Sequence, residues 1–487
     1  MVFSTILFLC AFLPVTIIGY YIMPAKLKNY FLLLMSLFFY AWGEPKFVWV
    51  MIGSVLCNYG LGMWLERCGT GEAHIRLRKA VVTLAVLLNI GILFVFKYLT
   101  FAMESVQRIV SDFPVWTIAL PIGISFYTFQ GLSYVIDVYR GERAQRNPFK
   151  LALYISMFPQ LIAGPIVRYK DVRERLDGRV HSPQMFAAGA ERFVVGLAKK
   201  AVLANMTGQL ANNIMTSDVS AMGVSVAWLG ALAYTLQIYF DFSGYSDMAI
   251  GLGKIFGFDF LENFDYPYIS RSVREFWRRW HMSLSGWFRD YLYIPLGGNR
   301  RGNVYFNLAV VFLATGIWHG ADWGFLLWGV WHGCFILIER FLSQRHSEKS
   351  GASQKKTILS SVLGWIYTMF VVVVGWVLFG IVDIRQFGAY ASVMFGFGAG
   401  EFAAYGIRYY LTNQMIFYMV IGIFACVPWG RILRKLPPVK RISEGAVPEA
   451  VLIAGDIVKK ALILCLLVIC FVFIINSSYN PFIYFRF

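Results

Sequence analysis

Charged residues are scarce in this sequence, and their scarcity excludes a soluble globular protein. Of its 487 residues only 15% are charged, whereas 58% are hydrophobic and 17% are aromatic. Apolar runs of about 20 residues recur along the chain, and each run is long enough to cross a bilayer as a helix. The composition therefore predicts an all-α polytopic membrane protein.

Acidic residues are outnumbered by basic ones, and the net charge of +17 has two explanations. Nucleic-acid binding is one. The basic residues instead lie in short loops between apolar runs, as the positive-inside rule describes for cytoplasmic loops. We therefore expect a lipid bilayer as a partner and no nucleic acid. No Lys or Arg precedes Lys26, so the first segment lacks the basic region of a cleaved signal peptide and is predicted to be a retained span.

Cysteine motifs and the common catalytic motifs are absent as well. The seven cysteines show neither a CxxC pair nor a Cys/His spacing that would indicate disulfides or a metal site. No Walker, HExxH or GxSxG pattern occurs, which excludes the commonest nucleotide-hydrolysing enzymes, metalloproteases and serine hydrolases. Proton-transfer chemistry or transport remain, and we expect no metal and no bound cofactor.

Hydropathy and loop charge predict about eleven membrane spans, with both termini outside the cytoplasm. The segment 148–168 breaks the alternation, because basic residues flank it on both sides and Pro159, Gly164 and Pro165 interrupt it. A re-entrant loop explains both observations, and a kinked helix pair explains them nearly as well. No soluble region is long enough to bury its own core, so we predict a single membrane domain over 1–487.

The segment 271–333 contains the densest cluster of Arg and Trp in the chain. If its first part is one helix, an aromatic stripe runs along it at steps of three and four residues, formed by Trp277, Trp280, Leu284, Trp287 and Tyr291. Four arginines then lie on another face: Arg271, Arg274, Arg278 and Arg289. Such an interfacial helix lies in the membrane surface, with its guanidinium groups among headgroups or acidic ligands. A surface anchor with no further role explains the pattern equally well.

Histidine is the side chain best suited to proton transfer near neutral pH. His319, in GIWHGAD at the end of an apolar run, is the strongest candidate, because an ionisable group at membrane depth usually has a function. A structural histidine bonded to a backbone carbonyl is the alternative. His332 repeats Trp-His-Gly thirteen residues later, where it either orients His319 or packs two helices together. His281 is expected near the inner face, where it can meet a headgroup or an acidic donor.

Three motifs resemble the membrane-bound O-acyltransferase family, and most closely its bacterial branch that O-acetylates alginate and peptidoglycan: YFDFSGYSDMAIGLGKIFGF, REFWRRWHMSLSGWFRDYLYIPLGG and TGIWHGADWGFLLWGVWHG. With SFYTFQGLSYVIDVYRG and FPQLIAGPIVRY, the resemblance covers most of 120–340. It implies tilted helices around a central tunnel that joins a cytoplasmic donor pocket to an external funnel. It also implies that His319 is the catalytic base and that His281 is the second histidine of the family.

The resemblance further implies acetyl-CoA as the acyl-donor substrate, on the cytoplasmic side of a bacterial inner membrane. We expect Arg271, Arg274, Arg278 and Arg279 to bind its phosphates, because guanidinium groups pair with phosphate in a bidentate manner. The expected acceptor is a cell-envelope polysaccharide outside, such as alginate or peptidoglycan, reached through an SGNH-type partner transferase. The rival interpretations are a transporter or channel, and a scaffold of a polysaccharide export complex.

The C-terminal tail 477–487 resembles a short aromatic motif of envelope-acylation systems. Tyr484 supplies the one hydroxyl inside its aromatic run, FIYFRF. We expect Tyr484 to be the third catalytic residue, which accepts the acyl group at His319 and presents it outside. An aromatic tail that only docks the partner at the membrane interface is the alternative.

Overall fold

A computed structural model describes residues 1–69, 74–350, 357–398, 405–433, 449–477 and 479–483. Within these ranges all regular structure is helical and no β-strand occurs, which confirms the predicted all-α fold class. The first twelve α-helices are α1 Leu13–Ile22, α2 Lys28–Gly43, α3 Val48–Arg67, α4 Ile75–Leu93, α5 Leu99–Gln107, α6 Ile124–Tyr139, α7 Pro148–Ser156, α8 Phe158–Leu161, α9 Tyr169–Asp177, α10 Pro183–Ala198, α11 Asn205–Met215 and α12 Val224–Ile255.

The second half of the chain contains the helices that carry the candidate site. They are α13 Val273–Arg279, α14 Met282–Phe288, α15 Val304–His319, α16 Trp323–Ser350, α17 Ile358–Gly380, α18 Ile384–Met394, α19 Ile407–Tyr410, α20 Asn413–Ala425, α21 Trp429–Leu433 and α22 Glu449–Asn476. Several helices continue through π-helical turns, at Phe8–Phe12, Phe94–Tyr98, Lys199–Ala204 and Arg289–Tyr293.

Five helices of the described ranges are long and apolar enough to cross a membrane: Val48–Arg67, Ile75–Gln107, Trp323–Arg345, Ile358–Gly380 and Ala450–Asn476. Three shorter apolar helices accompany them, at Phe8–Ile22, Val304–His319 and Asn413–Ala425. Large apolar side chains remain exposed along these helices, as lipid contact requires; Ile358 and Leu462, for example, are 86% and 65% exposed. The chain is therefore a multi-pass membrane protein. The number of eleven spans stays a prediction.

Helix α12 lies at the centre of the fold, and most of its residues are buried on every side. Its closest neighbour is α10, and glycines allow the two backbones to touch. A Cβ atom added at Gly196 would lie 2.6 Å from the carbonyl oxygen of Gly244, and one at Gly189 would lie 2.6 Å from that of Gly251. The glycines within the motif 239–258 thus serve close helix packing, which holds α12 against the site.

The prediction of one continuous interfacial helix after Arg271 is wrong. The helix breaks between α13 and α14 at Trp280 and His281, and His281 adopts the left-handed backbone conformation, with φ of 45°. The segment 263–265 holds the break: the Met282 amide donates to the Asn263 carbonyl, and the Asp265 amide donates to the Arg279 carbonyl, both over 2.9 Å. The aromatic residues of the stripe consequently turn into the protein, with Trp277, Trp280 and Trp287 at most 9% exposed.

The interrupted segment 148–168 consists of two short helices, α7 and α8, followed by irregular backbone from Ile162 onward. Residues from Leu153 to Val167 are buried almost without exception. Broken backbone therefore lies inside protein rather than against lipid, as the cost of unpaired polar groups demands. Entry and exit through the same membrane face stays a prediction.

Candidate active site

His319 is the last residue of α15, and it is buried among aromatic rings. Gly320 follows in an extended conformation and ends the helix. The imidazole lies 5.0 Å from the rings of Trp318 and Trp328 and 5.2 Å from that of Phe379, between ring centroids, and the residue is only 4% exposed. These apolar walls exclude bulk water from the ring.

His281 is also buried, and an asparagine sets its tautomer. Its Nδ1 lies 3.0 Å from Asn263 Oδ1, an oxygen that also accepts a hydrogen bond from Ser283 Oγ. The Asn263 amide nitrogen donates to Ser246 Oγ of α12, over 2.9 Å, and this bond orients the asparagine. Because Oδ1 only accepts, Nδ1 of His281 carries the proton and Nε2 carries the lone pair. Nε2 has no hydrogen-bond partner among the described residues.

The structure brings the two predicted histidines close to one indole, that of Trp318. Ring centroids are 6.1 Å apart for His281 and Trp318, and 5.0 Å apart for Trp318 and His319. His332 continues the row beyond Trp328, at 5.1 Å. A Cβ atom at Gly375 would lie 2.6 Å from His332 Nε2, so that ring is packed tightly against α17. The position of His332 favours a role in helix packing, rather than in orienting His319, for the second Trp-His-Gly copy.

The four predicted phosphate-binding arginines do not share one cavity. Arg271 lines an apolar cleft and donates to Ser361 Oγ over 2.9 Å. Arg279 forms ion pairs of 3.0 Å with both Asp265 and Glu275. Two others, Arg274 and Arg278, line a single cavity of about 230 Å³.

That basic cavity also contains Arg289, and it extends along α15 to Thr315, one turn before His319. Within the described part of the chain, neither Arg274 nor Arg278 has a carboxylate within ion-pair distance; Arg289 pairs with Asp290 at 2.9 Å. Aromatic rings of Trp277 and Phe312 form part of its wall. Two uncompensated guanidinium groups beside aromatic surface suit a phosphorylated ligand with an aromatic base.

A second cavity, of about 730 Å³, lies beyond the other end of the site. Asp322, three residues after His319, lines it together with Gly380 at the end of α17. Its walls are partly polar, with Asn212, Gln237 and Gln386 among them. Part of its lining comes from the C-terminal tail, through Tyr479, Pro481 and Ile483.

The tail is held inside the protein by polar groups and by packing. Lys200 and Asp241 form a buried ion pair of 2.5 Å. Lys200 Nζ donates to the Pro481 carbonyl, and the Ile483 amide donates to Asp241 Oδ2 over 2.9 Å. Phe482 packs against the Tyr245 ring, with centroids 4.8 Å apart and the planes tilted by 33°. The predicted acceptor, Tyr484, follows directly and lies outside the described residues.

The sequence profile of the membrane-bound O-acyltransferase family matches residues 34–380, a range that contains both His281 and His319. The chain belongs to this family. As a membrane-bound O-acyltransferase, it is an enzyme that transfers acyl groups, and the resemblance of its motifs is confirmed.

Named relatives of this membrane-bound O-acyltransferase act on polymers of the cell envelope. A probable alginate O-acetylase of Pseudomonas putida is 40% identical over 502 residues, with both chains covered completely. A peptidoglycan O-acetyltransferase of Helicobacter pylori is 35% identical over 416 residues, which cover 78% of this chain and 77% of that protein. A teichoic acid D-alanyltransferase of Bacillus subtilis is 27% identical over 269 residues, 51% of this chain and 67% of that protein.

Several groups at the site were not singled out by sequence reasoning. Asn263, which orients His281, and Lys97, which reaches the end of α15, come from segments distant in sequence. Only Lys97 could have been found from the sequence, because it is a lysine within the apolar run 80–98, where a charge is costly and therefore indicates a function. Among the described residues, no group of three His, Cys, Asp or Glu side chains gathers as metal ligands would.

Proposed function

We propose that this enzyme transfers an acetyl group from cytoplasmic acetyl-CoA to a hydroxyl of an extracytoplasmic envelope polysaccharide, with Tyr484 and a partner transferase as carriers. The observation that supports this proposal most strongly is the position of α15. The basic cavity reaches Thr315, and the tail-lined cavity reaches Asp322. His319 lies between these two residues in sequence, and we propose that a donor from one cavity and an acceptor from the other both reach it.

The proposed chemistry is a direct attack on a thioester. His319 takes the proton of the acceptor hydroxyl while the hydroxyl oxygen attacks the thioester carbonyl carbon. A carbon–oxygen bond forms, the carbon–sulfur bond breaks, and His319 returns the proton to the leaving sulfur of CoA. General-base catalysis of this kind contributes about 10²–10⁴-fold to a rate. His281 offers its Nε2 lone pair nearby and supports the same proton transfer.

The donor phosphates fit the basic cavity better than the other charged cavity of the described residues. That other cavity, of about 700 Å³, contains Arg192, Lys199, Arg431 and Lys459. Each of the four already has a carboxylate partner: Arg192 and Lys199 pair with Asp247 at 2.8 Å and 2.6 Å, Arg431 pairs with Asp265 at 2.6 Å, and Lys459 pairs with Glu191 at 2.5 Å. A phosphate gains less from cations that already have carboxylate partners. The geometry thus supports Arg274 and Arg278 as donor contacts.

The direction of transfer rests on the two ends of α17. Ser361, in its first turn, bonds to Arg271 on the basic side, and Gly380, its last residue, lines the tail cavity. Its 23 residues span about 34 Å, the thickness of the hydrocarbon core or slightly more. Ser4 and Asn480 bond to each other, so both termini lie on one side. We propose that the tail side is extracytoplasmic and the basic side cytoplasmic, in a bacterial inner membrane.

The tail supports the relay part of the proposal. Residues 479–483 enter the wall of the outer cavity, and both contacts of the Lys200–Asp241 pair are made to the backbone of the tail. The chain is therefore held by its main chain one residue before Tyr484. A phenol is easier to deprotonate than an alcohol, with an ordinary pKa near 10, and its ester is activated for onward transfer to an SGNH-type partner. The names of the relatives favour alginate, peptidoglycan or a related exopolymer as the final acceptor.

Purified enzyme in proteoliposomes tests the proposal. With radiolabelled acetyl-CoA on the cytoplasmic side, we expect release of free CoA and an acetyl adduct of the protein by intact-mass measurement, without partner. Adding the partner and polymer should then move the label to polymer. Passage of intact acetyl-CoA with no thioester cleavage would identify a transporter instead. If acetyl-CoA is neither cleaved nor transported when partner and polymer are present, the result favours the scaffold.

A further inference from the structure

Lys97 lies deep in the protein without an acidic partner, and three oxygens surround its ammonium group. Its Nζ donates to the Trp318 carbonyl over 2.6 Å, to the His319 carbonyl over 3.2 Å and to Ser125 Oγ over 3.1 Å. The residue is 8% exposed. No carboxylate of the described residues lies within ion-pair distance of Nζ. A buried charge of this kind is expensive and is retained where it has a function.

The contacts of Lys97 fall on the end of the helix that carries His319. The last carbonyls of an α-helix have no partner within the helix, and a cation there also interacts favourably with the helix dipole. Tyr98, the next residue, donates its hydroxyl to the Ile317 carbonyl over 2.9 Å. Two adjacent side chains therefore satisfy three consecutive carbonyls, those of Ile317, Trp318 and His319.

This cap replaces the glycine-based one that helices commonly use. Gly320 is extended, with φ of −165° and ψ of 159°, and the chain leaves α15 without a left-handed closing turn. The backbone of His319 is consequently fixed from outside the helix, by the π-helical turn Phe94–Tyr98. The backbone of Trp318, whose indole is close to both His281 and His319, is fixed by the same contact.

Lys97 does not itself reach a substrate-sized space. The cavity that it shares with Ser125, Trp318 and His319 has a volume of about 20 Å³, room for about one water molecule. The ammonium group acts through the peptide groups that it binds.

We infer that Lys97 is a positioning residue for acyl transfer, which holds the backbone of Trp318 and His319 so that the imidazole meets donor and acceptor. The inference rests on the proposed role of His319. A displacement of about 1 Å in a catalytic group can cost on the order of 100-fold in rate, and no other described group replaces the three contacts.

The test is Lys97→Met, which keeps the unbranched apolar part of the side chain, is one atom shorter, and removes the charge and the donors. We expect turnover per folded molecule to fall 10- to 100-fold, while KM for acetyl-CoA stays within about threefold, because the phosphate contacts are remote. Arg78→Met is the matched control. Arg78 is likewise buried and donates to the carbonyls of Leu65, Gly69 and Tyr139, far from His319 in the fold. Its loss should lower the melting temperature and leave turnover per folded molecule within twofold.

Two further variants keep the outcome decisive. If Lys97→Met does not accumulate in the membrane, Lys97→Arg retains the charge but cannot place its planar fork on the same three oxygens, and we expect reduced turnover at unchanged KM. Wild-type turnover in whichever variant folds would overturn the positioning role. His319→Gln is assayed in parallel: an inactive His319→Gln with an active Lys97→Met refutes only this inference, whereas an active His319→Gln refutes the proposed function itself.

Discussion

His319 ends a helix instead of lying within one, and its chemistry depends on that position. An imidazole in the middle of α15 would face one neighbouring helix. At the last residue it meets rings from three helices, through Trp318, Trp328 and Phe379. In sequence, His319 lies between Thr315 and Asp322, which line the two cavities.

The roles of the two Trp-His-Gly copies can be separated by substitution. His319→Gln keeps a polar side chain of similar size but removes the base, so we expect acetyl transfer to fall about 10²–10⁴-fold. His332→Gln should retain at least a third of wild-type turnover per folded molecule, since His332 is packed against Gly375. Initial rates of CoA release, normalised to folded protein by size-exclusion chromatography, provide the measurement. An active His319→Gln beside an inactive His332→Gln would reverse the assignment.

The donor site is a second prediction at the scale of single residues. Replacing Arg274 and Arg278 together by Gln should raise KM for acetyl-CoA about 100-fold or more, since each removes a charge-assisted hydrogen bond of about 1.5–3 kcal/mol. Turnover at saturating donor should change much less. Arg385→Gln, at an exposed position of α18, is the matched loss of a positive charge. A KM equal to that of the wild type in the double variant would place the donor elsewhere.

Among the elements, the broken helix pair α13–α14 and the C-terminal tail shape the site most. The break puts His281 in a left-handed backbone conformation, which is uncommon outside glycine and asparagine. Such local strain persists where surrounding contacts determine it, and here Asn263 and Asp265 supply those contacts. The tail, in turn, is held by a buried ion pair between Asp241 of α12 and Lys200 of the π-helical turn Lys199–Ala204.

The relay through the tail gives the clearest test at this scale. Tyr484→Phe removes one oxygen and keeps the ring, so we expect the acetyl adduct and polymer acetylation to disappear. Tyr479→Phe is the control within the same tail. It removes a hydroxyl that donates to the Gly208 carbonyl over 3.0 Å, a loss of about 1 kcal/mol in stability, and it should acetylate within threefold of the wild type. Normal acetylation by Tyr484→Phe would make the tail a docking element only.

The whole molecule has two chemically different ends, and their orientation in the membrane is testable. Cysteines introduced into a cysteine-free variant report the side of each loop. Phe397→Cys, at a position that is 88% exposed, should react with a membrane-impermeant maleimide in intact spheroplasts. Val180→Cys, at a position that is 67% exposed beside the basic loop 168–179, should react only after permeabilisation. The opposite labelling pattern would invert the direction of acyl transfer.

Sequence alone determined the class of this protein, because hydrophobicity and charge are read directly from composition and hydrogen-bond satisfaction in lipid leaves helices as the solution. Its motifs also identified the family and the two histidines that the fold brings to one indole, His281 and His319. The prediction of a continuous helix from residue periodicity failed at Trp280. The same spacing of aromatic residues occurs whether the helix is continuous or is broken by contacts with another segment of the chain.

The tertiary structure decided how the histidines are held and which charges are available for a ligand. Asn263 and Lys97 lie 18 and 222 residues from the histidines that they support, and no local pattern encodes a contact over such separations. Ion pairing likewise depends on neighbours in space: Arg279 is neutralised by Asp265, whereas Arg278 lines a cavity. The sequence shows which residue types are present, whereas their partners depend on how the helices pack.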